Sequence, residues 1–138
     1  MRILVVNPNT TASMTATIAN AANLAASAGT EIVAVTSAMG PASIEGYYDE
    51  ALAVPGLLAA IAEGERSGAD AVVIACFDDT GLDAARVMAG IPVLGICEAA
   101  LSLAAFVAQR FTVVTTLERS RVPVEGLVQR YGMAVRCR

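Results

Sequence analysis

Short runs that are apolar at nearly every position recur along this chain, each parted from the next by an alanine-rich stretch of helical length. The runs are Ile3-Leu4-Val5-Val6, Glu31 to Thr36, Ala71 to Ala75, Pro92-Val93-Leu94-Gly95 and Phe111 to Thr115. A strand with one wet face alternates apolar and polar side chains, whereas a strand apolar throughout needs cover on both faces. Strands of that kind alternating with helices predict an α/β fold built on an open, doubly wound parallel sheet. The 28 alanines among 138 residues agree, because small side chains let helices lie close on a sheet.

The stretches between the runs carry their own boundary signals. Ser13 is a candidate cap for a helix from about Met14 to Ala26, and Gly29 ends it. A second helix is expected from about Asp49 to Gly64, with Pro55 as a break or restart. Leu82–Met88, Glu98–Gln109 and Arg119–Arg130 complete the helices, and Met133–Arg136 reads as the start of another strand. A seam near Gly95 divides the chain into an N-terminal α/β lobe, residues 1–95, and a partial second lobe, residues 96–138. The last strand has barely begun at Arg138, which reads either as part of a longer protein or as a short terminal strand.

Missing residues narrow the chemistry. All nine basic residues are arginine, and there is no lysine and no histidine. Schiff-base chemistry, a phosphate-loop lysine, a Ser-His-Asp triad and imidazole metal ligation are therefore excluded within this sequence. Proton exchange near neutral pH falls to a cysteine or to a carboxyl group of raised pKa. Thirteen acidic residues against nine basic give a net charge of −4 and a pI near 4.7, a poor match for a nucleic-acid surface. No run approaches the length that spans a membrane, and the three cysteines form no CxxC pair, so a cytoplasmic protein with reduced thiols is expected. Charged residues are only 16% of the chain, which favours burying a face in a homo-oligomer.

In an open parallel sheet, ligands sit beyond the carboxyl ends of the strands. Cys76 follows directly on such an end and precedes a glycine-containing turn into a helix, where amide groups favour thiolate. Asp78 and Asp79 either oppose the thiolate by like charge, cap the helix or orient the thiol. A packed structural cysteine fits the same position. Asn7-Pro8-Asn9-Thr10, Gly40-Pro41 with Ser43 and Glu45, and Thr115-Thr116 offer polar groups on the same rim, though each also reads as an ordinary turn or loop. Cys97 and Glu98 open a helix and read as packing and as a dipole partner. The arginines at 119, 121, 130, 136 and 138 read as a solvated face.

Several of these segments resemble the aspartate/glutamate/hydantoin racemase superfamily, and most closely its hydantoin racemase branch. They are Ile3–Thr10 with Met14-Thr15, Gly40–Gly46, Val73–Asp79, Gly95–Ala100 and Phe111–Thr116, in family order across nearly the whole chain. The resemblance implies two similar α/β lobes with the substrate between them, the second lobe incomplete here. It implies a racemase that needs no cofactor, in which two cysteines face opposite sides of a carbon acid. Cys76 matches the first of these; the second lies in a distal segment that this chain lacks, and neither Cys97 nor Cys137 matches it. Asn7, Pro41, Ser43, Phe77, Thr115 and Thr116 fall in segments that line the family's site. A 5-substituted hydantoin is the expected substrate, with allantoin as the rival, and the 138-residue chain alone is expected to be inactive. A non-catalytic α/β domain binding a small amide-like ligand is the alternative from another class.

Overall fold

In the computed structural model, which describes residues 1–138, strand β1 (Arg2–Asn7) occupies an inner position of a four-stranded parallel sheet. Helix α1 (Ala12–Ala25) leads to β2 (Glu31–Thr36), α2 (Tyr47–Arg66) to β3 (Ala71–Ile74), and α3 (Leu82–Met88) to β4 (Val93–Gly95). The order across the sheet is β2-β1-β3-β4. β1 pairs with β2 from Arg2–Glu31 to Asn7–Thr36, and with β3 from Ile3–Ala71 to Val6–Ile74. The first crossover runs to one side of β1 and the next two to the other, so right-handed connections set α1 on one face and α2 with α3 on the opposite one.

Successive side chains of a strand point to opposite faces, and the two faces are packed differently. Leu4, Val6, Val72 and Ile74 meet Leu57 and Ile61 of α2 and Leu82 and Ala85 of α3 in one buried cluster. Each large aliphatic side chain buried there contributes roughly 1.5–3 kcal/mol of transfer free energy. On the α1 face, Ile3, Val5 and Val73 with Ile18, Ala21 and Ala22 border an apolar groove of about 530 Å³. Both faces carry helices, as the apolar strands predict.

Pro55 does not break α2, which runs unbroken over 20 residues. An interior proline costs about 3 kcal/mol through its missing N–H. Burial of Ala53, Leu57 and Ile61 along one stripe offsets that cost. Helix α1 starts at Ala12, with Thr11 rather than Ser13 at the cap position.

Beyond β4 the chain forms α4 (Ile96–Val107), one 3₁₀ turn (Glu118–Ser120) and α5 (Arg121–Arg130). Cys97, Leu101, Val124 and Val128 make a second, smaller cluster, flanked by Phe111, Val113 and Tyr131. The strand expected over Phe111–Thr115 does not form. Phe111 makes a single parallel bridge to Cys137, with its N–H on the Arg136 carbonyl at 3.0 Å. Strand pairing stops there because Met133–Arg136 closes into a turn, the Arg136 N–H donating to the Met133 carbonyl at 2.9 Å. A segment with one partner residue has no ladder to hold it extended. No helix is long and apolar enough to cross a membrane.

Candidate functional site

β1 and β3 are neighbours and end level with each other, Val6 opposite Ile74. The turns that follow them therefore leave the carboxyl edge side by side. Between them lies a cavity of about 310 Å³ bordered by Asn9, Ser43, Cys76, Phe77, Thr115 and Thr116. That volume lies at the lower end of what small-molecule sites span. Five of the residues singled out from the sequence (Cys76, Phe77, Ser43, Thr115 and Thr116) thus share one wall system, although they come from three separate stretches of chain.

Asn7 and Pro41 are placed behind the cavity rather than on its wall. Asn7 is buried, and its side-chain amide donates to Asn9 Oδ1 at 2.9 Å and Thr15 Oγ1 at 3.0 Å, while its Oδ1 accepts the Asn9 N–H at 3.2 Å. With both ends of the amide engaged, Asn7 holds Asn9, and Asn9 reaches the cavity. The Pro41 carbonyl accepts the Thr10 N–H at 3.0 Å, which ties the 40–46 loop to the turn after β1. Asn9, Asp78 and Ser120 are the other polar residues on the wall, and of these only Ser120 lies outside the rim segments marked from the sequence. The repeated Asn in Asn7-Pro8-Asn9 was the available signal; which of the two faces a ligand depends on the turn's hydrogen bonds, which sequence does not display.

Cys76 is partly buried, and Thr80 Oγ1 donates to its sulfur at 3.4 Å. Burial pushes the thiol above its ordinary range. The Thr80 hydroxyl and the Asp78 backbone N–H pull it back, and the Asp78 and Glu50 carboxylates add to the rise. Helix-end amides alone thus do not set this thiol. Glu50, on α2, is itself pushed up to about 7 by burial and by the Asp78 charge, and its Oε1 is buried without a hydrogen-bond partner. Asp78 is raised by burial and by Asp79.

Asp79 turns away from the sulfur. Its carboxylate accepts the backbone N–H groups of Cys97 at 2.9 Å and Glu98 at 2.8 Å, and the Tyr131 hydroxyl at 2.7 Å. It therefore caps α4, a helix remote in sequence, where N–H groups have no partner of their own. Gly95 is the residue that permits this approach, since a Cβ there would overlap the Asp79 carboxylate. Cys97 is buried in the smaller cluster with its thiol pushed up to about 12, first by burial and then by the charges of Asp79 and Asp78. Cys137 flanks that cluster and does not border the cavity. Three of the five C-terminal arginines pair with carboxylates, Arg119 with Glu45, Arg121 with Glu118 and Glu125, and Arg130 with Asp83, while Arg136 donates to the Ala105 carbonyl. No three Cys, Asp or Glu side chains converge as a metal site would require.

A cysteine thiol thus stands with amide, hydroxyl and carboxylate side chains at the carboxyl edge of a parallel α/β unit. Residues 3–138 match the Asp/Glu/Hydantoin racemase family, and the chain belongs to it. It is 53% identical over 136 residues to the hydantoin racemase of Pseudomonas sp. (strain NS671), covering 99% of this chain and 55% of that protein. The Rhizobium meliloti hydantoin racemase is 52% identical over 138 residues, covering 100% of this chain and 57% of that one. Among solved structures, an allantoin racemase from Klebsiella pneumoniae superposes with a TM-score of 0.97 at 49% identity, covering 99% of this chain and 56% of the other. The chain thus spans a little over half the length of the curated relatives it matches.

Proposed function

We propose that this chain supplies one half of a racemase acting on 5-substituted hydantoins, with Cys76 exchanging the proton at the ring carbon. The observation that carries the reading is the meeting of Cys76 with Asn9, Ser43, Thr115 and Thr116 around one small cavity. The C5 hydrogen of a hydantoin lies between a carbonyl and a ring nitrogen, so its removal leaves an enolate that needs fixed donors. Hydroxyls of Ser43, Thr115 and Thr116 and the amide of Asn9 are the donors at hand, and Phe77 packs against the ring. Asn7 and Pro41 act from behind by holding Asn9 and the 40–46 loop.

Cys76 as thiolate takes the proton from one face. As thiol it returns one to that face; inversion follows when the proton arrives on the other side, from a second group outside residues 1–138. A thiol raised by burial is the stronger base once ionised, which suits a weak carbon acid. The reaction asks for no cofactor, because the sulfur itself moves the proton.

Allantoin is a second substrate candidate, favoured by the likeness to the Klebsiella pneumoniae allantoin racemase. It is itself a hydantoin carrying a ureido group at C5, so the same atoms would react. Leu103, Phe106 and Val107 of α4 lie exposed, which supports a homo-oligomer that covers them; sedimentation equilibrium of the intact protein tests it. A reducing, cytoplasmic setting fits a working free thiol.

The deciding experiment is deuterium uptake at C5 of an L-5-substituted hydantoin, followed by NMR in the intact protein. Cys76→Ser should lower exchange by at least about a hundredfold, the lower end of what a positioned acid or base contributes. Undiminished exchange would refute the role. The same assay with allantoin ranks the two substrates.

A further inference from the structure

We propose that Thr80 is a positioning residue for Cys76, its hydroxyl fixing the sulfur at the cavity wall and donating to the thiolate. The proposal rests on the reading of Cys76 as the proton-exchanging group, and three features of the turn carry it. First, the Thr80 side chain is wholly buried, yet its hydroxyl points at one partner, the Cys76 sulfur, at 3.4 Å. A buried O–H without a good acceptor is costly, and a thiolate is a far better acceptor than a thiol.

Second, the backbone is bent to bring the hydroxyl there. Asp79 has φ of 46° and Gly81 has φ of 66°, so left-handed residues flank Thr80 on both sides. A non-glycine residue in that region needs surrounding contacts to hold it. The Asp79 carboxylate has them in the Cys97 and Glu98 amides and Tyr131. The Asp79 N–H also closes the turn on the Cys76 carbonyl at 3.0 Å.

Third, every charge near the sulfur works against ionisation. Asp78 in the same turn and Glu50 from α2 both disfavour thiolate. Cys97, on α4, is the other ionisable group coupled to this sulfur, and it stays a thiol. No arginine balances these groups at Cys76. The only donors to the sulfur are the Thr80 hydroxyl and the Asp78 N–H, and of the two only Thr80 acts through a side chain that mutation can remove.

The test is the pH profile of Cys76 alkylation by iodoacetamide, with the modified peptide read by mass spectrometry so that Cys97 and Cys137 do not contribute. Thr80→Val keeps the shape and removes the O–H. Its profile should move upward by about one pH unit, with alkylation at neutral pH about tenfold slower. Thr80→Ser should restore the wild-type profile. A Val profile that coincides with wild type overturns the proposal, as does a Ser profile that follows Val. If circular dichroism shows that Thr80→Val does not fold, Thr80→Ala against Thr80→Ser replaces it, and coincidence of those two profiles is equally fatal. Alkylation needs no turnover. A shifted profile in a protein that exchanges no substrate proton would sink the racemase reading while leaving the hydroxyl's hold on the sulfur intact.

Discussion

The two hydrophobic clusters of this chain are built differently. Around the sheet, ten buried residues from β1, β3, β4 and the crossovers on one face interlock, and strand pairing holds the backbone beneath them. Around α4 and α5 the buried cluster has only four residues, the one backbone bridge is Phe111 with Cys137, and Val107, Val114 and Val135 are each close to nine-tenths exposed. The candidate cavity lies between them: Asn9, Cys76 and Phe77 come from the sheet side, while Thr115, Thr116 and Val124 come from the other. Cys76 sits on the better-held half, and Thr115 and Thr116 sit on the looser one. Few direct ties join the halves, and the Asp79 carboxylate is the most buried of them.

Breaking the larger cluster should cost most. Leu57→Ala removes a side chain with no exposure from the centre of the sheet-side core, and a loss of about 3–5 kcal/mol is expected in urea unfolding. Val128→Ala in the smaller cluster should lose only about 1–2 kcal/mol, because fewer buried groups surround it. Equal losses would erase the distinction. Asp79→Asn tests the tie itself: an amide cannot accept both backbone N–H groups and the tyrosine hydroxyl as a carboxylate does. About 2–3 kcal/mol should go, with faster hydrogen exchange at Cys97 and Glu98 and little change in β1.

The smallest effect concerns pH. Glu50 sits at about 7 in the folded chain against an ordinary 4.5, through burial and then Asp78. Between those values the folded chain holds a proton that the unfolded chain has released, so stability falls as pH rises through the window. The melting temperature of wild type should therefore decline across that window, and Glu50→Gln should flatten the decline. A wild-type curve rising over the same interval would contradict the buried carboxyl.

Much of the frame was legible because burial writes itself into composition. β1 to β4 lie where wholly apolar runs predict them, within about a residue or two of the expected ends. Cys76 at a strand end needed no more than topology. Phe111–Thr115 has the same apolar signature and no strand, because pairing requires a neighbour and the signature only permits one. Pro55 failed as a breaker because tertiary burial outweighed a local penalty.

What the amino-acid order settled was the local periodicity: where β1 to β4 lie, which stretches between them are helical, and that histidine and lysine chemistry is excluded within this sequence. Three-dimensional packing alone decided that Asn9 faces the cavity while Asn7 supports it, that Asp79 caps a helix that begins seventeen residues further along, and that Thr80 rather than a helix end attends the sulfur. Periodicity follows from each residue's affinity for water, which is a property of the residue itself. Hydrogen-bond partners depend on which segments meet, and that is fixed only when the whole chain has packed.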